Sequence, residues 1–197
     1  MTNEARDYWN AEAAAFDEEP DHGLRDDDVR EAWRDLLLPL MPSPPGLVAD
    51  LGCGTGTLSL LLAEAGHDVA GLDVAPRMVE AAKSKARAAG RDITFVVGDA
   101  SAPALPPGSF DVVLARHVLW AMPDPAAALG RWLGLLRPEG LLVLVEGLWG
   151  TGAGLSASQV EGLVAARRRE VTVRMLDDPR LWGRVIDDER FLVVSPR

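Results

Sequence analysis

From residue 47 onward, apolar and polar positions switch between two rhythms. Leu47-Val48-Ala49-Asp50-Leu51 is a short apolar run stopped by glycines, and Leu58, Leu61, Leu62 and Ala65 then recur at helical spacing. Val69 to Leu72 predicts a second strand. Pro76 fits the first position of a helix reaching Ala89, and Ile93 to Val97 predicts a third strand. Phe110 to Ala115 predicts a fourth, followed by a helix carrying Leu129, Trp132, Leu133 and Leu136 on one face. Leu141 to Val145 is nearly all Leu and Val, as expected of a strand covered on both sides. Ser158 and Glu161 predict a capping box for a helix running to about Arg168, and Val171–Leu176 and Phe191–Val194 predict two last strands. This alternation implies an α/β fold, doubly wound around a mostly parallel sheet. Ligands in such folds sit beyond the carboxyl ends of the strands, here the loops after Leu51, Leu72, Val97, Ala115 and Val145.

The first 45 residues follow a different pattern. Val29, Trp33, Leu36, Leu37 and Leu40 predict an amphipathic helix over 25–40, and Tyr8, Trp9, Ala13 and Phe16 give 3–18 a hydrophobic side. Asp26-Asp27-Asp28 suits the N-terminal donors of the following helix. The run Met41-Pro42-Ser43-Pro44-Pro45-Gly46 reads as a connector. The expectation is a single domain, 1–197, with an N-terminal helical cap (1–45) on an α/β core (46–197).

Composition narrows the class. A chain of 197 residues, 48% hydrophobic and 25% charged, can bury one sizeable core. Its longest apolar runs are too short to span a bilayer, its first residues lack a secretory signal, and its single cysteine, Cys53, forms no internal disulfide. A cytoplasmic protein is expected. The net charge is −10, of which residues 1–35 contribute −8 through 12 acids and 4 bases. An acidic field repels phosphate backbones, so no nucleic-acid partner is expected, and Arg167-Arg168-Arg169 reads as a helix-end cluster facing solvent.

The chemistry concentrates in the loops. Asp50-Leu51-Gly52-Cys53-Gly54-Thr55-Gly56-Thr57 follows the first strand, and its glycines permit a tight turn with a ligand against the backbone. A dinucleotide fingerprint would place its third glycine at position 57, which is Thr57. Asp50 suits an ammonium group better than a pyrophosphate. Asp73 ends the second strand, where a carboxylate can accept from both hydroxyls of a ribose. Asp99, in Gly98-Asp99-Ala100, can accept from an exocyclic amine. The acids suit a ligand with an amine, a ribose and an adenine, but no phosphate.

Val48-Ala49-Asp50-Leu51-Gly52-Cys53-Gly54-Thr55-Gly56 resembles the glycine-rich motif of class I S-adenosylmethionine-dependent methyltransferases. Asp73 matches that family's ribose-binding acid, and Gly98-Asp99-Ala100 its adenine-binding turn. Phe110-Asp111-Val112-Val113-Leu114 resembles its fourth strand. Leu136-Arg137-Pro138-Glu139-Gly140-Leu141-Leu142 resembles the turn into its fifth, with Glu139 in place of a glycine. The resemblance covers about residues 47–146 and is nearest to the small ubiquinone/menaquinone-biosynthesis-like subgroup, whose members act on diverse small molecules. It implies a seven-stranded sheet with an antiparallel last strand. It implies that Asp50, Gly52, Cys53, Gly54 and Gly56 hold the methionine moiety and Asp73 the ribose. Val74, Met78, Asp99 and Ala100 would then meet the adenine, and Ala115, Arg116 and His117 would flank the methionine part.

For the acceptor side, His117, Tyr8 and His22 are the candidate catalytic residues, and Trp120, Glu146 and Trp149 the candidate pocket. His67 lies in a helix-to-strand turn and is expected to face solvent. No metal-ligand constellation stands out. The expected function is methyl transfer from S-adenosylmethionine to a small-molecule acceptor. Two alternatives share parts of the pattern: a catalytically idle cofactor binder and a nicotinamide-dependent oxidoreductase, the latter at odds with Thr57 and Asp50.

Overall fold

The structure, a computed structural model, describes residues 3–196. Helices α1 (Asn3–Glu12), α2 (Pro20–Gly23) and α3 (Asp27–Leu37) precede an alternating core: β1 (Leu47–Leu51), α4 (Thr57–Glu64), β2 (Asp68–Asp73), α5 (Pro76–Ala88), β3 (Thr94–Val97) and β4 (Phe110–Arg116). Then follow α6 (Pro125–Leu135), β5 (Leu136–Leu148), α7 (Ala157–Ala165), β6 (Thr172–Met175) and β7 (Glu189–Ser195). The seven strands form one sheet in the order β3-β2-β1-β4-β5-β7-β6. β7 is antiparallel to both of its neighbours, and the other pairings are parallel.

Alternation along the central strands divides the core into two layers. Val48, Leu114, Val143 and Val145 face α3, α4 and α5. Ala49, Val113, Leu142 and Leu144 face α6 and α7. Strand order reverses between β1 and β4, so their carboxyl ends open the crevice that binds ligands in open α/β sheets.

Local chemistry sets the helix ends. Asp26 caps α3 by accepting from the N–H groups of Asp28 (2.9 Å) and Val29 (3.2 Å). α7 is capped two residues earlier than the sequence suggests: the reciprocal pair is Ser156 with Gln159, not Ser158 with Glu161. α1 stops at Glu12, and a 3-10 turn over Phe16–Glu18 replaces the single helix expected over 3–18. Acids 17–19 would load the negative end of a longer helix, and Pro20 follows them. His67 is also corrected: it is 6% exposed, its Nδ1 accepting the Gly46 N–H at 3.3 Å. Arg168 does not simply face solvent but donates to the carbonyls of Gly140 (2.7 Å) and Ser195 (2.9 Å), fastening α7's end to the sheet. Among the described residues, no helix is long and apolar enough to cross a membrane.

Candidate active site

The glycine loop between β1 and α4 turns through left-handed backbone at Gly52, Gly54 and Gly56, with φ of 70°, 55° and 75°. At Gly52 a Cβ would fall 2.4 Å from Val118 Cγ2, so only hydrogen fits between this loop and the one after β4. The N–H groups of Gly52 and Cys53 donate to Leu72 O at 2.7 and 3.0 Å, tying the loop to β2. The Gly54 N–H donates to Asp73 Oδ2 at 3.0 Å, and the Ala75 N–H to Asp73 Oδ1 at 2.8 Å. Asp73 is buried, which raises its pKa, while these amide donors pull it back. The carboxylate has about four lone-pair sites, so it can take a further donor beside these amides. Asp50 lies on the α4 side of β1 and accepts from Ser59 Oγ at 2.5 Å. Burial pushes its pKa up to about 6 against the lowering effects of Ser59 and Arg116.

A cavity of about 390 Å³ opens at the carboxyl ends of β1 and β4. Gly52, Gly54, Asp73, Val74, Met78 and Ala100 line one part of it. His117, Trp120, Trp149, Trp182 and Arg190 line another. A recess of about 40 Å³, lined by Asp50, Cys53, Thr55 and Thr57 among others, shares Gly52, Gly54 and Arg116 with the main cavity. The Arg116 guanidinium donates to Asp21 O and lies over the Trp33 ring, 5.0 Å from its centroid.

The segment before α2 covers the loop. Phe16 Cε1 would stand 3.2 Å from a Cβ at Gly54. Asp17 accepts from Thr55 Oγ1 at 2.5 Å and pairs with Lys85 Nζ at 2.8 Å, while Lys85 also donates to Thr57 Oγ1 at 2.6 Å. His22 stacks on Phe16, ring centroids 4.2 Å apart and planes within 12°, and its Nδ1 lies 3.2 Å from Phe16 O. Burial and then Arg116 hold His22 below the usual imidazole range.

His117 has a φ of 58°, rare outside glycine, and its N–H donates to Val145 O at 2.8 Å. Its ring sits 5.1 Å from Trp149 and 6.1 Å from Trp182, and its buried Nδ1 has no hydrogen-bond partner among the described residues. Burial, Arg116 and Arg190 all push its pKa well down, so the imidazole is neutral at pH 7. Glu146, expected in the acceptor pocket, is instead fully buried beneath the turn after β4. Its Oε1 accepts from the N–H groups of Val118 (2.9 Å) and Leu119 (2.6 Å). Burial raises its pKa to about 8, so the group is a neutral acid that fixes the turn rather than a wall of the cavity.

Several other sequence candidates also lie off the cavity. Tyr8 is 58% exposed and packs edge-on against Trp9. Ala115 is buried in the core, and Asp99 accepts from the Ser101 N–H at 2.7 Å beside the cavity rather than in its wall. Gly56 caps α4 and serves close packing, since a Cβ there would lie 2.8 Å from both Ala82 and Phe95. Burial holds the Cys53 thiol well above its ordinary pKa, so it is no nucleophile. Trp182, Arg190 and Phe16 line the cavity without having been singled out. Neither Trp182 nor Arg190 lies in a sequence pattern that points to the site.

A family profile described as a methyltransferase domain matches residues 49–144, the stretch from β1 to β5 that holds the glycine loop and Asp73. Residues 49–144 are thus similar to a methyltransferase domain. The chain is 38% identical over 117 residues to a demethylmenaquinone methyltransferase of Thermus thermophilus, covering 58% of this chain and 53% of that protein. It is 40% identical over 113 residues to the nocamycin O-methyltransferase of Saccharothrix syringae, covering 55% and 40%. The chain thus spans about half the length of the curated relatives it matches, or less. The fold is similar to that of magnesium protoporphyrin IX methyltransferase from Synechocystis, solved with S-adenosylmethionine bound, at a TM-score of 0.69 and 22% identity. That match covers 85% of this chain and 77% of the other.

Proposed function

We propose that the protein transfers a methyl group from S-adenosylmethionine to a small-molecule acceptor. One observation carries this reading: two voids meet at Gly52 and Gly54, with Asp50 and Arg116 on the smaller and Asp73 on the larger. An amino acid end needs an anion and a cation together, and Asp50 with Arg116 supplies both. A ribose needs an acceptor at hydroxyl distance from the backbone, and Asp73 is held there by the Gly54 N–H. An adenine needs apolar faces, which Met78 and Ala100 provide. Asp50 and Asp73 offset the one cation of this set, Arg116, which disfavours a pyrophosphate and with it the nicotinamide alternative.

When bound, S-adenosylmethionine supplies a methyl group already activated by its sulfonium. The chain's part is alignment and exclusion of water. Holding acceptor and donor in line is worth about 7–11 kcal/mol of the barrier. Phe16 and the Asp17 contacts cover the glycine loop against bulk solvent. His117, neutral and lining the cavity, is placed to accept a hydrogen bond from an acceptor group and orient it, while burial, Arg116 and Arg190 oppose its taking the proton outright. The neutral His22 is a wall of the chamber, and Tyr8 takes no part. The chain acts as one unit, residues 1–45 forming the cap, and works in the cytoplasm on a small molecule rather than on nucleic acid. Its one cysteine and its charge of −10 support these last points.

Calorimetric titration tests the proposal. S-adenosylmethionine and S-adenosylhomocysteine should bind in the micromolar range and be lost in Asp73→Ala. Binding of NADH alone would overturn the reading. Cofactor binding with no methyl transfer across an acceptor screen would favour the idle binder.

A further inference from the structure

The wall of the cavity opposite in character to the glycine loop is aromatic and cationic at once. Arg190 is 8% exposed, and its Cζ lies 4.8 Å from the Trp149 ring centroid and 5.6 Å from that of Trp182. Its Nη2 donates to Asp188 Oδ2 at 2.9 Å and its Nη1 to Glu189 O at 3.3 Å. A guanidinium has five N–H groups, so these bonds leave three without a partner among the described residues. Asp188 neutralises the charge incompletely, because its other oxygen accepts the Gly150 N–H and the side chain is part-exposed.

The remaining acids of the cavity are engaged elsewhere. Glu19 pairs with Arg184 at 3.4 Å, and Asp73 takes the N–H groups of Gly54 and Ala75, while Asp21 lies beside His22 and next to the Arg116 guanidinium that its own backbone carbonyl binds. A cationic acceptor would find the faces of Trp149 and Trp182 already occupied by a guanidinium and would be repelled by it. A neutral acceptor would seal three guanidinium donors away from water, which is costly. An ionised carboxylate satisfies the planar fork.

We propose that this part of the cavity is an acceptor subsite for a planar aromatic acid, its ring against Trp120 and its carboxylate on Arg190. The inference rests on the methyl-transfer reading only for the word acceptor; the binding preference stands by itself. His117, 5.1 Å from Trp149, then faces the ring that carries the nucleophile.

The test is calorimetric titration of the full chain with 2-naphthoate, its neutral isostere 2-naphthamide, and 2-naphthylmethylammonium, with and without saturating S-adenosylhomocysteine. Naphthoate should bind about tenfold or more tightly than the amide, as expected for charge-assisted hydrogen bonds, and the ammonium should bind most weakly. Arg190→Gln should bring naphthoate down to the affinity of the amide while leaving the amide and S-adenosylhomocysteine titrations unchanged. Arg190→Lys should keep part of the preference. If Arg190→Gln does not fold, the wild-type ranking decides, together with whether added salt weakens naphthoate but not the amide. Equal binding of acid and amide, a preference for the ammonium, or an unchanged preference in Arg190→Gln would overturn the proposal. Failure of all three probes with intact S-adenosylhomocysteine binding would overturn it and leave the methyl-transfer reading standing. Naphthoate preference without S-adenosylhomocysteine binding would do the reverse.

Discussion

Asp17 and Lys85 form an ion pair 2.8 Å long that joins the N-terminal segment to α5 across the glycine loop. Both side chains are less than a quarter exposed, and Lys85 also donates to Thr55 and Thr57. Burial pulls the Lys85 pKa down while Asp17 pulls it up, so removing Asp17 leaves a poorly solvated ammonium with hydroxyl partners only. Asp17→Ala should therefore loosen the cap. Limited proteolysis should cut between residues 12 and 20 faster than in wild type, and S-adenosylhomocysteine affinity should fall by about tenfold, the equivalent of one charged hydrogen bond. An unchanged cleavage rate would show that the pair does not hold the cap.

Cofactor affinity should depend on pH through Asp50. Its carboxyl, raised to about 6 by burial, must be ionised to meet an ammonium group. Binding is then full above about pH 6 and weakens as pH falls through that value, by up to about tenfold per pH unit. Asp50→Asn should bind more weakly at pH 7 and lose the acid-side dependence. Asp73 is also raised by burial, so Asp73→Asn measured alongside separates the two contributions.

Glu146 predicts a pH dependence of stability. Its folded-state pKa of about 8 exceeds the ordinary value of 4.5, so the native state keeps a proton that the unfolded chain releases. That contribution is full below about pH 4.5 and is lost as pH rises toward 8. Urea midpoints should fall between pH 6 and 9 in wild type. Glu146→Gln keeps a neutral carbonyl acceptor for Val118 and Leu119, and its midpoint should be flatter over the same range. Parallel curves for the two proteins would remove Glu146 from this account.

Gly52→Ala combines two costs. Left-handed backbone costs a side chain about 1–2 kcal/mol, and a Cβ 2.4 Å from Val118 Cγ2 forces the two loops apart. Unfolding should become easier by about 2 kcal/mol or more, read from denaturant midpoints, with a larger loss of S-adenosylhomocysteine affinity than in Gly108→Ala. A Cβ at Gly108 meets nothing within 4 Å although its backbone is also left-handed, so it controls for strain alone.

The sheet was legible because buried parallel strands write themselves as unbroken apolar runs, and the glycine loop because its backbone geometry excludes other residues. Legibility failed where burial and polarity disagree. β5 starts at Leu136, five residues before the run that predicts it, because exposed Arg137, Pro138 and Glu139 interrupt the pattern. His67 and Glu146 look like loop polar groups until backbone N–H donors are placed around them. Asp50 and Asp73 could be singled out because each ends a strand beside the loop. Arg190 could not, because its place in the site comes from pairing with Gly147, a relation between distant segments.

β7 runs against its neighbours, so the start of that strand, rather than its end, arrives beside the carboxyl end of β5. The loop from Trp149 onward and the Trp182–Arg190 segment therefore meet at a rim that residues 49–144 do not build alone. On the proposed reading, the two reactants are recognised by separate stretches of the chain. Exchanging the carboxy-terminal stretch between relatives should then retune which acceptor is taken and leave cofactor binding in place.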